Sequence, residues 1–226
     1  MDAGTDRETL VRVPAAGVVL EGNLGAPEGC RGVVLFAHGS GSSRHSSRNR
    51  YVAGELRHAG LGTLLIDLLT ADEEEVDVRT RHLRFDIRLL ADRLVGATDW
   101  LGEQPETRGQ PVGLFGASTG GGAALVAAAD RPARIAAVVS RGGRPDLAGD
   151  ALPLVRAPTL LVVGGDDLPV IGMNRAAYAA LRCTKEMIIV PGASHLFEEP
   201  GTLERVAELA ADWFARHLAP RAMPHA

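Results

Sequence analysis

Apolar residues along this chain fall into short runs separated by longer stretches of mixed polarity. Six of the runs are rich in aliphatic and β-branched residues, which is typical of strands buried on both faces of a parallel sheet. They cover residues 32–37, 63–67, 112–116, 135–139, 159–163 and 187–190. Because longer, helix-compatible segments lie between successive runs, the pattern predicts β-α-β crossovers and a mainly parallel sheet.

The first two predicted strands differ from the others. They cover residues 9–14 and 18–24, and the segment between them contains Gly17 and is too short to hold a crossover helix. The sequence therefore predicts an antiparallel hairpin that precedes the parallel part of the sheet.

Two stretches show apolar residues at helical spacing. One covers about residues 80–101, where leucines and an isoleucine recur along one face and arginines and aspartates fill the others. The second covers about residues 203–218. Its apolar stripe consists of Val206, Leu209, Ala210, Trp213 and Phe214. We interpret both stripes as contributions to the core.

Composition places the chain among ordinary folded proteins. It has 226 residues, of which 46% are hydrophobic and 23% charged, with no internal repeat or Pro/Ser-rich linker, so we expect one α/β domain over residues 1–226. The formal net charge of −4 gives no electrostatic reason to expect nucleic acid or an anionic membrane as a partner. A small-molecule ligand is the better expectation, on a monomer or a small homo-oligomer.

The expected cellular location and the expected need for cofactors depend on signal segments, membrane spans and cysteines. Residues 1–8 carry several charges and no apolar signal core, and no apolar run approaches the roughly 18 residues of a membrane span. The two cysteines, Cys30 and Cys183, suggest neither a disulfide framework nor a thiolate metal site. We expect a cytoplasmic protein that needs no metal and no cofactor.

The pentapeptide GASTG at residues 116–120 carries the clearest chemical signal. It follows a predicted buried strand and precedes a run of small, helix-compatible residues, which is the strand-turn-helix setting of a G-x-S-x-G motif. Glycines on either side allow a sharp turn that exposes the Ser118 hydroxyl. The alternative is a tight turn in which Ser118 only caps the helix.

A serine hydroxyl is a weak nucleophile until a base removes its proton, so the motif predicts a later histidine and a carboxylate that orients it. His195 follows the last apolar run, which brings it to the carboxyl edge of the sheet. Asp166 and Asp167 both follow the run 159–163, and either could be the acid or could cap the next helix. His38 also follows a strand, and we expect it to be structural.

A tetrahedral intermediate also needs hydrogen-bond donors for its oxyanion. The backbone N–H of Thr119 is one candidate, because it opens the helix after the predicted nucleophile. The segment HGSGSS at residues 38–43 supplies the other, and we choose the N–H of Ser40 because Gly39 and Gly41 let a substrate approach the backbone. A phosphate-binding loop is disfavoured, since the G-K-[ST] ending is missing.

Taken in chain order, H-G-x-G, G-x-S-x-G, an aspartate and a histidine make the sequence resemble the α/β-hydrolase fold, and its small size is similar to the dienelactone-hydrolase-like branch. The resemblance covers almost the whole chain. It implies a mostly parallel eight-stranded sheet with helices on both faces and a two-step acyl transfer. It also favours Asp167 as the acid, because Asp167-Leu168-Pro169-Val170 matches the family's D-x-x-V spacing.

Two departures limit that resemblance. Dienelactone hydrolases proper use a cysteine nucleophile where this chain has Ser118, so their substrate does not transfer. The segment between Val139 and Thr159 is too short for a large cap domain, which predicts an open or shallow site.

Four arginines in loops near the expected site are candidates for binding a substrate carboxylate: Arg44, Arg48, Arg141 and Arg144. The acidic run at residues 72–75 leaves the same edge of the sheet and could instead pair with them in loop-to-loop salt bridges.

The sequence thus predicts a serine hydrolase that cleaves small-molecule carboxylic esters, with lactones and thioesters as related substrates. Ser118, His195 and Asp167 would be catalytic. An amidase or peptidase with the same three residues is the second hypothesis. A ligand-binding protein that keeps the fold without catalysis is the third.

Overall fold

A single eight-stranded sheet forms the centre of the computed structural model, which describes residues 8–218. The strands are β1 (Thr9–Ala15), β2 (Val18–Gly25), β3 (Val33–Ala37), β4 (Gly62–Ile66), β5 (Val112–Ala117), β6 (Ile135–Arg141), β7 (Thr159–Gly164) and β8 (Lys185–Val190). Their spatial order is β1-β2-β4-β3-β5-β6-β7-β8. β2 pairs antiparallel with β1 and β4, and every later pairing is parallel, which confirms the predicted sheet and its N-terminal hairpin.

Burial explains why the central strands show no alternation of polar and apolar residues. Every residue of β3, β4, β5 and β7 is buried, because helices cover the sheet on both faces. The hairpin strand β1 does alternate over its second half, since one of its faces is open to solvent.

The helices are α1 (Ser47–His58), α2 (Ala71–Thr80), α3 (Ile87–Leu101), α4 (Thr119–Asp130), α5 (Leu168–Ala180) and α6 (Thr202–His217), with short 3-10 segments at Leu83–Phe85 and Pro145–Leu154. α1 and α6 pack on one face of the sheet, and α3 and α4 pack on the other. The five residues predicted as the apolar stripe of the final helix are all buried, so that prediction is confirmed.

The helix predicted over residues 80–101 is wrong at its start. Arg81 has a φ of 57° and ends α2, and the chain turns before α3 begins after Asp86, which caps it by accepting the N–H of Leu89 at 3.0 Å. The turn is stabilised by Asp77, which is fully buried and accepts the N–H of Leu83 at 2.8 Å. Local hydrogen bonds therefore override the apolar periodicity here.

Between β6 and β7 the chain forms only the short 3-10 segment, so residues 8–218 include no large cap domain, as predicted. Over the same residues, no helix combines the length and apolarity needed to cross a bilayer. The expectation about a signal core lies largely outside the described residues, since it concerns residues 1–8.

Candidate active site

Ser118 occupies a sharp turn between β5 and α4. Its φ of 50° and ψ of −122° are unusual for a residue with a side chain, and the flanking glycines are needed for steric reasons. A Cβ atom at Gly116 would lie 2.5 Å from the carbonyl oxygen of Gly120, and one at Gly120 would overlap the carbonyl of Ala37. The Ser118 side chain makes no capping hydrogen bond, so the alternative of a helix-capping serine is wrong.

The main chain of Ser118 is tied to the end of the neighbouring strand. Its N–H donates to the carbonyl oxygen of Arg141 at 3.3 Å, and its own carbonyl accepts the N–H groups of Arg144 and Gly121 at 2.9 and 3.0 Å. These hydrogen bonds hold the turn in its strained conformation.

His195 and Asp167 lie on the loops after β8 and β7, and the structure brings them together. The Nδ1 atom of His195 lies 2.6 Å from Oδ2 of Asp167, whose side chain makes no capping bond to α5. Asp166 donates its backbone N–H to the carbonyl of Ala193 at 3.0 Å, which helps to hold the two loops together. Of the two aspartates left open by the spacing, Asp167 is therefore the partner of His195.

A cavity of about 260 Å³ contains Ser118 and His195 in its wall. The other lining residues that bear on chemistry are Ser40, Arg48, Asn49, Arg141 and Leu196. A larger groove of about 950 Å³ lies beside the 38–43 loop, but neither Ser118 nor His195 lines it. The smaller cavity is therefore the candidate site.

The two N–H groups expected to bind an oxyanion lie on either side of the turn. Ser40 lines the cavity, and a Cβ atom at Gly39 would lie only 3.0 Å from the Cβ of Ser118, so the loop approaches the turn closely. Thr119 is the first residue of α4, and N–H groups in a first helical turn have no partner within the helix.

His38 fixes this loop and does not line the candidate cavity. Its Nδ1–H donates to the carbonyl oxygen of Gly39 at 2.9 Å, and its Nε2 accepts the N–H of Leu68 at 3.0 Å. Burial lowers the pKa of His38, which keeps the imidazole neutral and able to accept that bond. The expected structural role of His38 agrees with these contacts.

Two of the four candidate arginines lie outside the cavity. Arg44 forms ion pairs with Asp67 and Glu21, and Arg144 pairs with Asp146 at 2.8 Å. None of these partners belongs to the acidic run 72–75, so the predicted salt bridges to that run are wrong for Arg44 and Arg144. The reason is that the run forms the first turns of α2, where Glu73 completes a capping box.

Arg141 and Arg48 do line the cavity. Arg141 is unusual because it is a buried arginine without an ionic partner in the described part of the chain. It is the last residue of β6, which continues two residues beyond the predicted strand, and it is only 6% exposed. Its Nη2 donates to Oδ1 of Asn49 at 3.0 Å, while its buried Nε has no partner and no carboxylate among residues 8–218 forms an ion pair with it. Burial, with a smaller effect of nearby Arg48, lowers the pKa of Arg141 to about 10.

Arg48 is partly neutralised by an ion pair with Glu198. Its Nη1 lies 2.9 Å from Oε1 of Glu198, but its buried Nε has no partner. The cavity thus has one guanidinium without an ionic partner, a second that is partly compensated, and the apolar side chain of Leu196.

Sequence reasoning missed Asn49, which orients Arg141 from α1 and is 2% exposed. An asparagine at a buried helical position among polar neighbours gives no distinctive pattern, so only the fold reveals its role.

Comparisons with known proteins agree with the observed fold. Residues 20–219 match the model of the dienelactone hydrolase family. A solved dienelactone hydrolase from Anabaena variabilis is 66% identical, with a TM-score of 0.92 over 94% of this chain and 98% of that one. Est1E from Butyrivibrio proteoclasticus, at 16% identity and a TM-score of 0.76 over 92% of this chain and 98% of its own, is similar in fold alone.

The curated relatives are longer than this chain. A Mycobacterium tuberculosis protein described as a "Putative phosphoribosyl transferase" is 59% identical over 221 residues, which is 96% of this chain and 49% of that protein. The chain therefore spans about half the length of the curated relatives that it matches.

Proposed function

Since this chain belongs to the dienelactone hydrolase family, we propose that it is a serine hydrolase that cleaves carboxylic esters of small molecules through an acyl-enzyme. The observation that carries the proposal is the 2.6 Å contact between His195 and Asp167 at a cavity that Ser118 also lines. The transferase named for the longer relatives is not proposed for this chain, because it spans only about half of them.

In the proposed reaction, the hydroxyl of Ser118 attacks the ester carbonyl while Nε2 of His195 takes its proton. Asp167 accepts the Nδ1–H of His195, which leaves Nε2 free to act as the base and stabilises the imidazolium that forms. The N–H groups of Ser40 and Thr119 bind the oxyanion. The intermediate then expels the alcohol, which takes the proton from His195.

A water molecule completes the cycle by the same route. His195 removes a proton from the water as it attacks the acyl-enzyme, and returns that proton to Ser118 when the acid leaves. A lactone or a thioester would follow the same steps, because only the leaving group differs.

We further propose that the preferred substrate carries a carboxylate. A buried arginine without an ionic partner is costly, and an anion in the cavity would compensate it through charge-assisted hydrogen bonds. Arg141 is the main candidate and Arg48 a secondary one. Arg44 and Arg144 form ion pairs with Asp67 and Asp146, so they are not candidates for binding the substrate carboxylate.

The reaction is tested by measuring kcat/KM on a matched ester, lactone, thioester and amide, with the wild-type protein and Ser118→Ala. We expect turnover of the ester and a loss of at least about 10³-fold in Ser118→Ala. Faster turnover of the amide would favour the amidase hypothesis. Absence of turnover by the wild-type protein on the whole panel would favour a binding protein.

The charge preference is tested with Arg141→Met, which keeps much of the side-chain volume. For an ester with a free carboxylate we expect kcat/KM to fall about 10- to 100-fold, as for loss of a hydrogen bond to a charged group, with little change for its neutral methyl ester. Arg131→Met, which removes an exposed arginine paired with Asp99, is the control. Equal losses on both esters in Arg141→Met would contradict the carboxylate proposal.

A further inference from the structure

His195 is carried by the loop that joins β8 to α6, residues 191–201, and its contact with Asp167 depends on that loop. The imidazole side chain is 38% exposed, so surrounding side chains restrain it only in part. The main chain of the loop must therefore supply much of the positioning.

The loop includes a strained residue. Phe197 has a φ of 56° and is only 1% exposed, and its N–H makes a long hydrogen bond of 3.3 Å to the carbonyl of Ser194. A bulky residue with positive φ costs roughly 1–3 kcal/mol and persists only when other contacts enforce it.

Glu199 supplies such a contact. Its Oε2 accepts the N–H of Ser194 at 3.0 Å, directly before His195 in the chain. The carbonyl of Glu199 accepts the N–H of Thr202 at 3.1 Å and its hydroxyl at 2.7 Å, which anchors the residue to the first turn of α6. One residue thus joins the His195 segment to a helix that is packed on the sheet.

We propose that Glu199 is a positioning residue for His195: its side chain closes the loop from Ser194 to α6 and holds the imidazole in reach of Asp167 and Ser118. The inference rests on the proposed catalytic role of His195. The bond from Ser194 also lowers the pKa of Glu199, so the side chain stays an ionised acceptor in neutral solution.

The adjacent Glu198 provides a contrast of the same residue type. Its side chain is 61% exposed and pairs with Arg48 of α1 at 2.9 Å, outside its own loop. An exposed ion pair of this kind contributes little to stability or order. Glu198→Ala is therefore the matched control when a neutral ester is the substrate.

Two variants distinguish the length of the Glu199 side chain from its charge. Glu199→Gln keeps an oxygen acceptor at the same distance, so we expect kcat within about threefold of the wild-type value. Glu199→Asp keeps the charge but is one methylene shorter, so it cannot reach the N–H of Ser194 with this backbone. For it we expect kcat on a neutral ester to fall about 10- to 100-fold with KM within about twofold, as for a small misplacement of a catalytic group.

A second readout does not depend on turnover. The Nδ1–H of His195, in a short bond to a carboxylate, should give a strongly downfield proton NMR signal in wild type, Glu199→Gln and Glu198→Ala. In Glu199→Asp we expect that signal to broaden or disappear through exchange with water. Retention of both the signal and wild-type kcat in Glu199→Asp, or a Glu199→Gln as impaired as Glu199→Asp, would overturn the inference.

The same experiment distinguishes this inference from the proposed function. If Ser118→Ala still hydrolyses the ester, the proposed function fails, while the NMR signal still reports whether Glu199 positions His195. If Ser118→Ala is inactive and the Glu199 variants behave like wild type, the proposed function survives and the role of Glu199 is wrong.

Discussion

At the scale of single residues, the site depends on Ser118 adopting a backbone conformation that most residues avoid. A φ of 50° with a ψ of −122° is compatible with glycine and strained for residues with a Cβ atom. Hydrogen bonds from neighbouring segments to both its N–H and its carbonyl enforce this conformation. The strain places the hydroxyl at the cavity, at a cost to the stability of the fold.

The strain can be measured by comparing Ser118→Gly with Ser118→Ala. Both remove the hydroxyl, but only glycine adopts the backbone angles freely. Relief of strain should outweigh the greater flexibility of glycine in the unfolded chain. We therefore expect the measured free energy of unfolding of Ser118→Gly to be about 1 kcal/mol above that of Ser118→Ala. Chemical denaturation of the two inactive variants measures it. A Ser118→Gly protein less stable than Ser118→Ala by about 0.4–1 kcal/mol, the effect of glycine flexibility alone, would show that Ser118 is not strained.

Site residues that lie in recognisable sequence motifs could be predicted from the sequence. Ser118 and His195 stood in recognisable contexts, and Asp167 was one of two adjacent choices that only the structure separates. Asn49 and Glu199 were not predictable, because their roles consist of hydrogen bonds to groups that are distant in sequence or belong to the backbone. The depth at which Arg141 is buried likewise depends on where β6 ends.

At the scale of elements, α4 is fitted closely against the loop that follows β3. The closeness depends on glycine at position 120, where any Cβ atom would overlap the carbonyls of Ala37 and His38. The approach brings the first N–H groups of α4 next to the loop that contains Ser40. A short, glycine-rich start of α4 is therefore a requirement of the proposed oxyanion site.

Two helical glycines make a matched test of this packing. Gly120→Ala should destabilise the protein by about 1–3 kcal/mol, as for overpacking, and should lower esterase activity by displacing the 38–43 loop. Gly172→Ala in α5 meets no atom within 4 Å, so the higher helix propensity of alanine should stabilise the protein by up to about 1 kcal/mol. Thermal denaturation and ester hydrolysis of both variants provide the check. A Gly120→Ala protein as stable and active as Gly172→Ala would refute the packing argument.

Sequence patterning predicted one helix over residues 80–101, whereas α3 begins only at Ile87. Apolar periodicity continued across residues 80–101, but the buried carboxylate of Asp77 accepts backbone N–H groups that a continuous helix would have used. Periodicity reports which face is buried. It does not report whether the main chain between two apolar residues remains helical.

At the scale of the whole molecule, the strand order brings the candidate site residues to one edge of the sheet. β5, β6, β7 and β8 are successive neighbours in the sheet, and their carboxyl ends lead to Ser118, Arg141, Asp167 and His195 respectively. β3, on the other side of β5, leads to Ser40. Because parallel strands end at one edge, residues up to 155 positions apart in the sequence meet there, counting from Ser40 to His195.

This topology was largely predictable, because alternating buried runs and helices allow few arrangements. The chemical identity of the substrate was not. It depends on how far each loop extends beyond the sheet and on which arginines find carboxylates within the protein, and both are decided by packing.

The most direct test of the central claim is to identify the atom that becomes acylated. The protein would be treated with a fluorophosphonate, which modifies activated serine hydroxyls, digested, and mapped by tandem mass spectrometry. We predict a single adduct on Ser118 that forms in step with loss of ester hydrolysis and that slows at least about 10³-fold in His195→Ala. An adduct on another residue, or full loss of hydrolysis with Ser118 unmodified, would contradict the proposed mechanism.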